Sequence, residues 1–149
     1  VLGPSAGGNV ALSVCCMLHD NNEKQPKGLI LYYPNVTYMM NTRSQLKNQS
    51  ILLNFMDYHY YSLSYTPNSI DRLNWKVSPI LYPHLDSLAS TIMFYSNKDM
   101  LLDHQLLLVD KMGKNIKSHA HNYLHGFCSR LKISKQTLPA LKDFIDGNC

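Results

Sequence analysis

Apolar residues along this chain occur in two kinds of run, one typical of helices and one typical of buried strands. From Ala6 to Leu18 the sequence is apolar almost all round a helical projection, with Val10, Val14 and Met17 on one face. This pattern predicts a helix that is buried on every side. Residues 28–34 (Gly-Leu-Ile-Leu-Tyr-Tyr-Pro) form a short apolar run closed by proline, which predicts a buried parallel strand.

A second buried strand is predicted over Thr91–Ser96, another apolar run, and a third strand over Ser118–Leu124. Between them, Asp103 is placed to cap a helix that runs through Met112, and Gly113 is placed to end it. A last amphipathic helix is predicted over about Lys135–Ile145, with four side chains facing inward: Leu138, Leu141, Phe144 and Ile145. Alternating buried strands and helices imply an α/β fold with a mostly parallel sheet flanked by helices.

Residues 35–77 have a different composition, rich in Tyr, Asn, Ser and Met. We predict a helix over Ile51–Tyr61 and a turn at residues 66–68 (Thr-Pro-Asn). The segment resembles an insertion between strands more than another strand–helix unit. We therefore divide a single partial domain into residues 1–34, the lid-like insertion, and residues 78–149.

Composition and charge exclude several classes of function. The chain has 149 residues, of which 45% are apolar, and a net charge of +4, as in an ordinary globular domain. Its lysines are scattered, and the densest group (Lys111, Lys114 and Lys117) fits one solvated helix edge. Nucleic-acid binding requires basic residues gathered on one surface, so we expect no nucleic-acid partner. No apolar run approaches a membrane span, and no signal peptide is visible.

Four cysteines are present: Cys15, Cys16, Cys128 and Cys149. They form no C-x-x-C pair, so neither a zinc site nor a disulfide framework is indicated. Cys15 and Cys16 are neighbours inside an apolar run and are interpreted as buried free thiols.

The first residues, VLGPSAGGNVALS, carry the pattern G-x-S-x-G, in which a serine occupies a sharp turn between a strand and a helix. Ser5 is therefore a candidate nucleophile. The small residues Gly7 and Gly8 would let helix and strand approach closely, and the helix N-terminus adds partial positive charge beneath a developing oxyanion. The alternative is a serine that merely caps a buried helix.

A serine nucleophile needs a base and a carboxylate that orients the base. Asp99 follows the strand Thr91–Ser96, and His125 follows the strand that ends at Leu124. The order Ser, Asp, His and the position after later strands are those of α/β-hydrolases, and parallel strands bring such loops to one edge of the sheet. The competing candidates have structural explanations. Asp103 is expected to cap a helix, Asp86 to lie in a turn, and His119 and His121 to share one face of a strand. The remaining histidines are placed on predicted helices (His19 and His104), in the insertion (His59) and in a turn (His84). No residue set with metal-ligand spacing is found.

Four motifs in register resemble the hormone-sensitive-lipase-like, arylacetamide-deacetylase-like esterase family. Residues 3–9 (G-P-S-A-G-G-N) are similar to its G-D-S-A-G-G-N elbow, and residues 78–81 (S-P-I-L) to its S-P-L segment. Asp99 begins a D-x-L-x-D motif, and His125 begins H-G-F. The resemblance spans the whole chain, from the elbow to the C-terminal helix.

The resemblance implies the C-terminal part of an α/β-hydrolase fold and a Ser-His-Asp acyl-enzyme mechanism of esterase, lipase or deacetylase type. Ser5 would be the nucleophile, His125 the base, Asp99 the triad acid, and the Ala6 N–H an oxyanion-hole donor. No metal or cofactor would be required. The substrate would be a small ester with an apolar acyl or aryl group, contacted by a lid and pocket in the Tyr-rich insertion (Phe55, Met56, Tyr58, Tyr60 and Tyr61), although simple packing also explains each of these aromatics.

Two departures from the family pattern matter. Pro4 stands where the family usually has Asp, and proline removes a backbone N–H. The H-G-G-G loop that supplies most of the family's oxyanion hole lies upstream of the elbow and is absent here; losing one such donor costs roughly 2.7–4 kcal/mol. We expect the chain to begin inside a longer hydrolase. We also expect the 149-residue piece alone to be inactive or poorly folded, because strands beside Leu29–Tyr33 and Thr91–Ser96 would be missing.

Other interpretations remain open. A prolyl-oligopeptidase-like peptidase shares the elbow, but Asn9, Leu101 and Asp103 favour the esterase group, and type-B carboxylesterases normally use Glu. A receptor or pseudoenzyme on the same scaffold is the alternative from another class, and the retained His125 argues against it. Asn35 and Asn48 each begin a glycosylation acceptor pattern. Both a cytoplasmic location and a secretory or luminal one therefore stay open.

Overall fold

The computed structural model describes residues 1–40, 42–129 and 131–148. The strands and longer helices follow one another in this order: β1 (Leu2–Pro4), α1 (Ala6–Asp20), β2 (Leu29–Tyr32), α2 (Arg43–Lys47), α3 (Phe55–Tyr65), β3 (Thr91–Ser96), α4 (Leu102–Met112), β4 (Ile116–His121) and α5 (Leu131–Asp146). Short 3-10 helices cover Ser69–Leu73, Pro79–Leu81, Leu85–Ser87, Gly113–Asn115 and Phe127–Ser129.

The described strands form one parallel sheet in the order β1-β2-β3-β4. The predicted α/β fold with a parallel sheet is therefore confirmed. The expectation that β2 and β3 lack neighbours is wrong, because each is hydrogen-bonded to a strand on both sides. All four carboxyl ends meet at one edge, which is where open α/β sheets bind ligands.

Alternating side chains of the inner strands fill two cores. On one face, Leu31 and Met93 pack with apolar residues of α1 and α4, such as Leu12 and Leu108. On the other face, Ile92, Tyr32 and Phe94 pack with Phe144 of α5. The period of two along each strand thus separates an aliphatic core from an aromatic one.

Helix α1 is buried on one side only. Its buried residues include Ala11, Leu12 and Cys15. Val10, expected inside, is 56% exposed, and Val14 and Met17 are exposed as well. The prediction of burial all round is wrong because the described sheet covers a single face of this helix.

Helix α5 is rotated by one position from its predicted packing. Phe144 is buried and Leu141 packs against the aromatic core. Leu138 and Ile145, also predicted to face inward, are 54% and 42% exposed. The residues that pack, Thr137, Ala140, Leu141 and Phe144, form one stripe with spacings of three and four, and Leu138 and Ile145 lie at its edge.

The described residues of the insertion form two α-helices, where one helix was predicted. Helix α2 was missed, although Thr42 and Gln45 have the spacing of a capping box and the Gln45 side chain accepts a hydrogen bond from the Thr42 N–H. Helix α3 begins at Phe55, not at Ile51, because the Asn54 side chain accepts from the N–H groups of Met56 and Asp57.

In the C-terminal half of the chain, β3 has its predicted bounds. Strand β4 runs from Ile116 to His121, so it begins and ends earlier than the predicted Ser118–Leu124. Its register against β3 sets these limits, since Thr91 pairs with Ile116 and Ser96 with His121. Gly113 ends α4 with a φ of 54°, as expected.

Both neighbouring cysteines are buried, as expected. Burial raises the pKa of Cys15, and it raises the pKa of Cys16 to about 12. Cys128 is partly buried, and Cys149 lies outside the described residues. Within the described ranges, no helix has both the length and the apolar character needed to cross a membrane.

Candidate active site

Ser5 occupies a strained turn between β1 and α1. Its φ is 50°, a positive value that a side-chain-bearing residue adopts at a cost of roughly 1–3 kcal/mol. Backbone hydrogen bonds stabilise the turn: the Ser5 N–H donates to the Tyr32 carbonyl, and the Asn35 and Gly8 N–H groups donate to the Ser5 carbonyl. The Ser5 side chain makes no capping hydrogen bond to α1, so the capping alternative does not describe it.

Two glycines make the close approach of β1, α1 and β2 possible. A Cβ at Gly3 would lie 2.3 Å from the Gly7 carbonyl oxygen, and a Cβ at Gly8 would lie 2.6 Å from Pro34 Cβ. A Cβ at Gly7 would meet only Pro4 Cδ at 3.3 Å. The residues that permit the close packing are therefore Gly3 and Gly8, not the predicted pair Gly7 and Gly8.

Pro4 fits the elbow because of the strand's alternation. The Val1 carbonyl and the Ser5 N–H both bond to β2, so the backbone nitrogen of Pro4 points to the opposite side of β1. No described strand lies on that side. The N–H that proline lacks would thus have no ladder partner among the described residues.

Ser5, His125 and Asp99 form a hydrogen-bonded chain across the sheet edge. The distance between Ser5 Oγ and His125 Nε2 is 2.8 Å, and that between His125 Nδ1 and Asp99 Oδ2 is 2.9 Å. Asp99 is fully buried and His125 is 7% exposed. Because a carboxylate only accepts hydrogen bonds, Nδ1 carries the proton and Nε2 is left to accept the Ser5 hydroxyl.

The Asp99 carboxylate has two more donors. Oδ1 accepts from the Leu101 N–H at 2.9 Å, and Oδ2 accepts from Gln105 Nε2 at 3.4 Å. Gln105 also donates to the Pro34 carbonyl. It therefore connects the end of β2 to the loop between β3 and α4 that carries Asp99, called the acid loop below. Sequence reasoning missed Gln105, although its place one turn into α4 after the D-x-L-x-D motif was a usable signal.

Asp103, predicted to cap α4, does something else. It lies in the first turn of a helix whose N-cap is Leu101, and its Oδ2 accepts a hydrogen bond from the Ser44 N–H at 2.8 Å. The Asp103 N–H in turn donates to Ser44 Oγ, which donates to the Met100 carbonyl. Asp103 therefore joins the insertion to the acid loop.

The remaining candidates have packing roles, as expected. Asp86 lies in a 3-10 turn, His119 stacks on Phe94, and His121 packs between Phe94 and Phe127. Four other histidines lie elsewhere: His19 and His84 beside Tyr82, His59 against Met40, and His104 buried in α4. Across the described parts of the chain, no three His, Cys, Asp or Glu side chains are grouped to hold a metal ion.

A cavity of about 450 Å³ opens beside Ser5 and His125. Ala6, the first residue of α1, also lines it, and a first-turn N–H has no partner within its own helix. No Asp, Glu, Lys or Arg is among the described residues of the lining. The other lining residues are apolar, aromatic or amide side chains: Asn35, Tyr38, Leu52, Leu53, Tyr58, Tyr61, Tyr65 and Leu101.

Only part of the predicted pocket lies in this cavity. Tyr58 and Tyr61 line it, whereas Phe55 and Met56 line a separate surface groove and Tyr60 is exposed. The reason is helical geometry, because 58, 61 and 65 share one face of α3 and 56 and 60 share another. The buried Tyr58 hydroxyl donates to the Thr37 carbonyl and is also within hydrogen-bond distance of Asn35 Oδ1.

Both asparagines of the glycosylation patterns have their side chains in use. Asn35 is buried, and its Oδ1 accepts a hydrogen bond from the Thr37 N–H. The Nδ2 of Asn48 donates to the carbonyls of Asn97 and Asp99. A glycan on Asn35 would need space that the folded protein does not provide, and one on Asn48 would remove an Nδ2 hydrogen from the acid loop.

Comparisons with known proteins agree with this geometry. A family model described as alpha/beta hydrolase fold matches residues 1–129. Among solved structures, the carboxylesterase EstE1 from a metagenomic library is similar with a TM-score of 0.86 at 25% identity, over 100% of this chain and 54% of that chain. An esterase from the archaeon Pyrobaculum calidifontis is similar with a TM-score of 0.84 at 25% identity, over 95% and 50% of the two chains.

A fungal enzyme, carboxyl esterase 2 from Tuber melanosporum, shares the fold with a TM-score of 0.85 at 21% identity, over 99% of this chain and 54% of that one. The chain thus spans about half the length of these esterases. A comparison with curated proteins finds no match.

Proposed function

The chain belongs to the α/β-hydrolase fold family, and from that premise we propose that the full-length protein carrying this chain is a carboxylic ester hydrolase acting through Ser5, His125 and Asp99. The observation that carries the proposal is the continuous hydrogen-bonded chain from Ser5 Oγ through His125 to the buried Asp99. The similar solved structures described above are esterases by name, which supports the same reaction class.

The proposed reaction begins when Ser5 Oγ attacks the ester carbonyl and His125 Nε2 takes the serine proton. Asp99, held by Leu101 and Gln105, stabilises the imidazolium that forms. His125 then gives the proton to the leaving alcohol, and an acyl group remains on Ser5. Water attacks the acyl-enzyme with His125 again as base, which releases the acid and restores the serine.

The oxyanion of each tetrahedral intermediate is assigned to the Ala6 N–H at the N-terminus of α1. As the first residue of α1, Ala6 has an N–H with no partner in the helix, at the end where the helix dipole places partial positive charge. Such a donor is worth roughly 2.7–4 kcal/mol to the transition state.

The substrate is proposed to be a small neutral ester with an apolar acyl or aryl group. The cavity is lined mainly by leucines and tyrosines, and no carboxylate, ammonium or guanidinium from the described residues reaches it. A charged acyl group would lose its hydration without gaining an ionic partner. We assign most of the cavity wall to residues 35–77, with Ala6 and Leu101 completing it, and the triad to residues 1–34 and 78–149.

The test is hydrolysis of p-nitrophenyl butyrate by the full-length protein, not by the 149-residue piece alone. Ser5→Ala and His125→Ala should each lower the rate at least ~10³-fold, as loss of a triad member does. The matched control is Ser87→Ala, an exposed serine outside the cavity, which should keep the wild-type rate. Undiminished hydrolysis by Ser5→Ala would sink the assignment, and faster cleavage of the corresponding anilide than of the ester would favour a peptidase.

A further inference from the structure

Tyr33, the first residue after β2, has a backbone conformation that needs an explanation. Its φ is 37°, one of the positive values at non-glycine residues in the described chain. Consecutive residues of a regular strand point to opposite faces. Tyr32 and Tyr33 nevertheless belong to the same aromatic core, so the positive φ turns the Tyr33 ring to the side of the sheet that holds Tyr32.

The turned ring lies directly against the catalytic histidine. The centroids of Tyr33 and His125 are 4.8 Å apart with the ring planes at 63°, an edge-to-face arrangement. The same ring makes a similar contact with Phe127, at 4.7 Å and 63°. Tyr33 thus contacts two members of the H-G-F loop.

Both ends of Tyr33 are fixed. Its N–H donates to the Phe94 carbonyl at 2.7 Å, and its hydroxyl shares a hydrogen bond with Cys128 Sγ at 2.5 Å. Only 3% of the residue is exposed. Burial and the Cys128 contact raise the pKa of the Tyr33 phenol, so it stays neutral while His125 exchanges protons.

We propose that Tyr33 is a positioning residue of the proposed esterase, whose ring holds the His125 imidazole between Ser5 and Asp99 and stabilises the imidazolium formed during proton transfer. The inference rests on the proposed function. A cation that lies over the face of an aromatic ring, within about 6 Å of its centroid, is attracted by the ring quadrupole, most strongly in a site shielded from water. The inference assigns the face of the Tyr33 ring to His125. The strain at Tyr33 is then the cost of placing the ring against the reacting base.

Other titratable groups face His125 from the surrounding elements. The Asp99 carboxylate comes from the β3–α4 loop, Cys128 lies in the same loop as His125, and His121 of β4 lies behind Phe127. Burial lowers the pKa of His121, so it is uncharged at neutral pH. The tyrosines that line the cavity complete the set: Tyr38, Tyr58, Tyr61 and Tyr65. Asp99 is therefore the charged partner whose effect the ring supplements.

The test compares three variants of the full-length protein. Tyr33→Leu should lower kcat for p-nitrophenyl butyrate about tenfold with little change in KM, and should move the acidic midpoint of the pH–rate profile to lower pH. Tyr33→Phe keeps the ring and should resemble the wild type in both. The matched control is Tyr32→Leu, because Tyr32 lies in the same core and stacks on Phe94, and none of its ring contacts among the described residues is to His125.

Two further measurements test the inference if the enzyme shows no turnover or if Tyr33→Leu does not fold. The downfield NMR resonance of the His125 Nδ1 proton, hydrogen-bonded to Asp99, requires no turnover; it should weaken in Tyr33→Leu and persist in Tyr32→Leu. If Tyr33→Leu does not fold, a series of fluorinated phenylalanines at position 33 keeps the ring shape and weakens its negative face, and should lower the acidic midpoint progressively.

The outcomes separate the two proposals. Absence of Ser5-dependent ester hydrolysis in the wild type would reject the proposed function, while the NMR comparison would still test Tyr33. Wild-type kcat, pH midpoint and Nδ1 resonance in Tyr33→Leu would reject the role of Tyr33 and leave the esterase assignment intact. A midpoint that stays constant along the fluorinated series would also reject it.

Discussion

Two residues with strained backbone, Ser5 and Tyr33, lie close together where the elbow and the end of β2 are hydrogen-bonded. The Ser5 N–H donates to the Tyr32 carbonyl, and the Asn35 N–H returns to the Ser5 carbonyl, so the elbow and the end of β2 constrain each other. This reciprocal bonding leaves no room for backbone adjustment. Side chains added at the closest approaches should therefore be poorly accommodated.

Gly3→Ala should destabilise the full chain by about 1–3 kcal/mol or more, because the new Cβ would lie 2.3 Å from a backbone oxygen that cannot rotate away. Gly7→Ala is the matched control. Its Cβ would meet only Pro4 Cδ at 3.3 Å, so the free energy of unfolding should change by less than about 1 kcal/mol. Chemical denaturation measures both, and equal destabilisation would contradict the geometry.

At this scale, the meeting of Ser5, Asp99 and His125 could be predicted, since each follows a strand and parallel strands share a carboxyl edge. Their catalytic role stays a prediction. Gln105 and Tyr33 could not be found in the same way. The contact between Gln105 and Asp99 depends on which face of α4 is turned to the sheet. The contact between Tyr33 and His125 depends on a positive φ at Tyr33, which no pattern in the sequence predicts.

Among the elements, the short helix α2 connects the insertion to the acid-bearing loop. Ser44 and Asp103 exchange hydrogen bonds through the Ser44 N–H and the Asp103 N–H, and Asn48 donates to the carbonyls of Asn97 and Asp99. Leu52, which lines the cavity, follows a few residues later. The cavity wall and the loop that carries Asp99 are therefore held by the same contacts.

Asp103→Ala should lower the free energy of unfolding by about 1.5–3 kcal/mol, because it leaves the Ser44 N–H without its charged acceptor. It should also reduce ester hydrolysis, since both Leu52 and the Asp99 loop lose support. Asp110→Ala removes an exposed carboxylate from the same helix and serves as the control. Similar denaturation midpoints for the two variants would show that these contacts contribute nothing.

The elements themselves were predictable to different degrees. β3 matches its predicted bounds because a continuous apolar run in a doubly covered strand is a strong signal. α2 has only five residues, too few for hydrophobic periodicity to reveal, and only the Thr42–Gln45 cap spacing marked it. The outward face of α1 could not be predicted, because apolar residues at Val10 and Val14 do not say which neighbours are present.

On the scale of the whole molecule, the sheet separates an aliphatic core from an aromatic one, and a histidine packs on each side: His104 is buried and His121 is half-buried. His104 of α4 is buried on the helix that packs on the aliphatic side, and His121 lies among the rings of Phe94 and Phe127. Burial lowers the pKa of both imidazoles, although the nearby Asp103 carboxylate partly opposes the effect at His104. The folded protein thus holds both histidines in the neutral form.

This arrangement makes stability depend on pH in a defined direction. An unfolded histidine takes up a proton below about pH 6.5, whereas buried His104 does so only at lower pH. In that window the unfolded state binds more protons, so the free energy of unfolding falls as pH falls, until the folded protein is protonated too. His104→Gln should flatten this slope, and His84→Gln, at an exposed site, should leave it unchanged. Urea denaturation between about pH 7.5 and 5, a range that contains the pKa of an unfolded histidine, measures the slopes. An unaltered slope in His104→Gln would exclude this histidine as the cause.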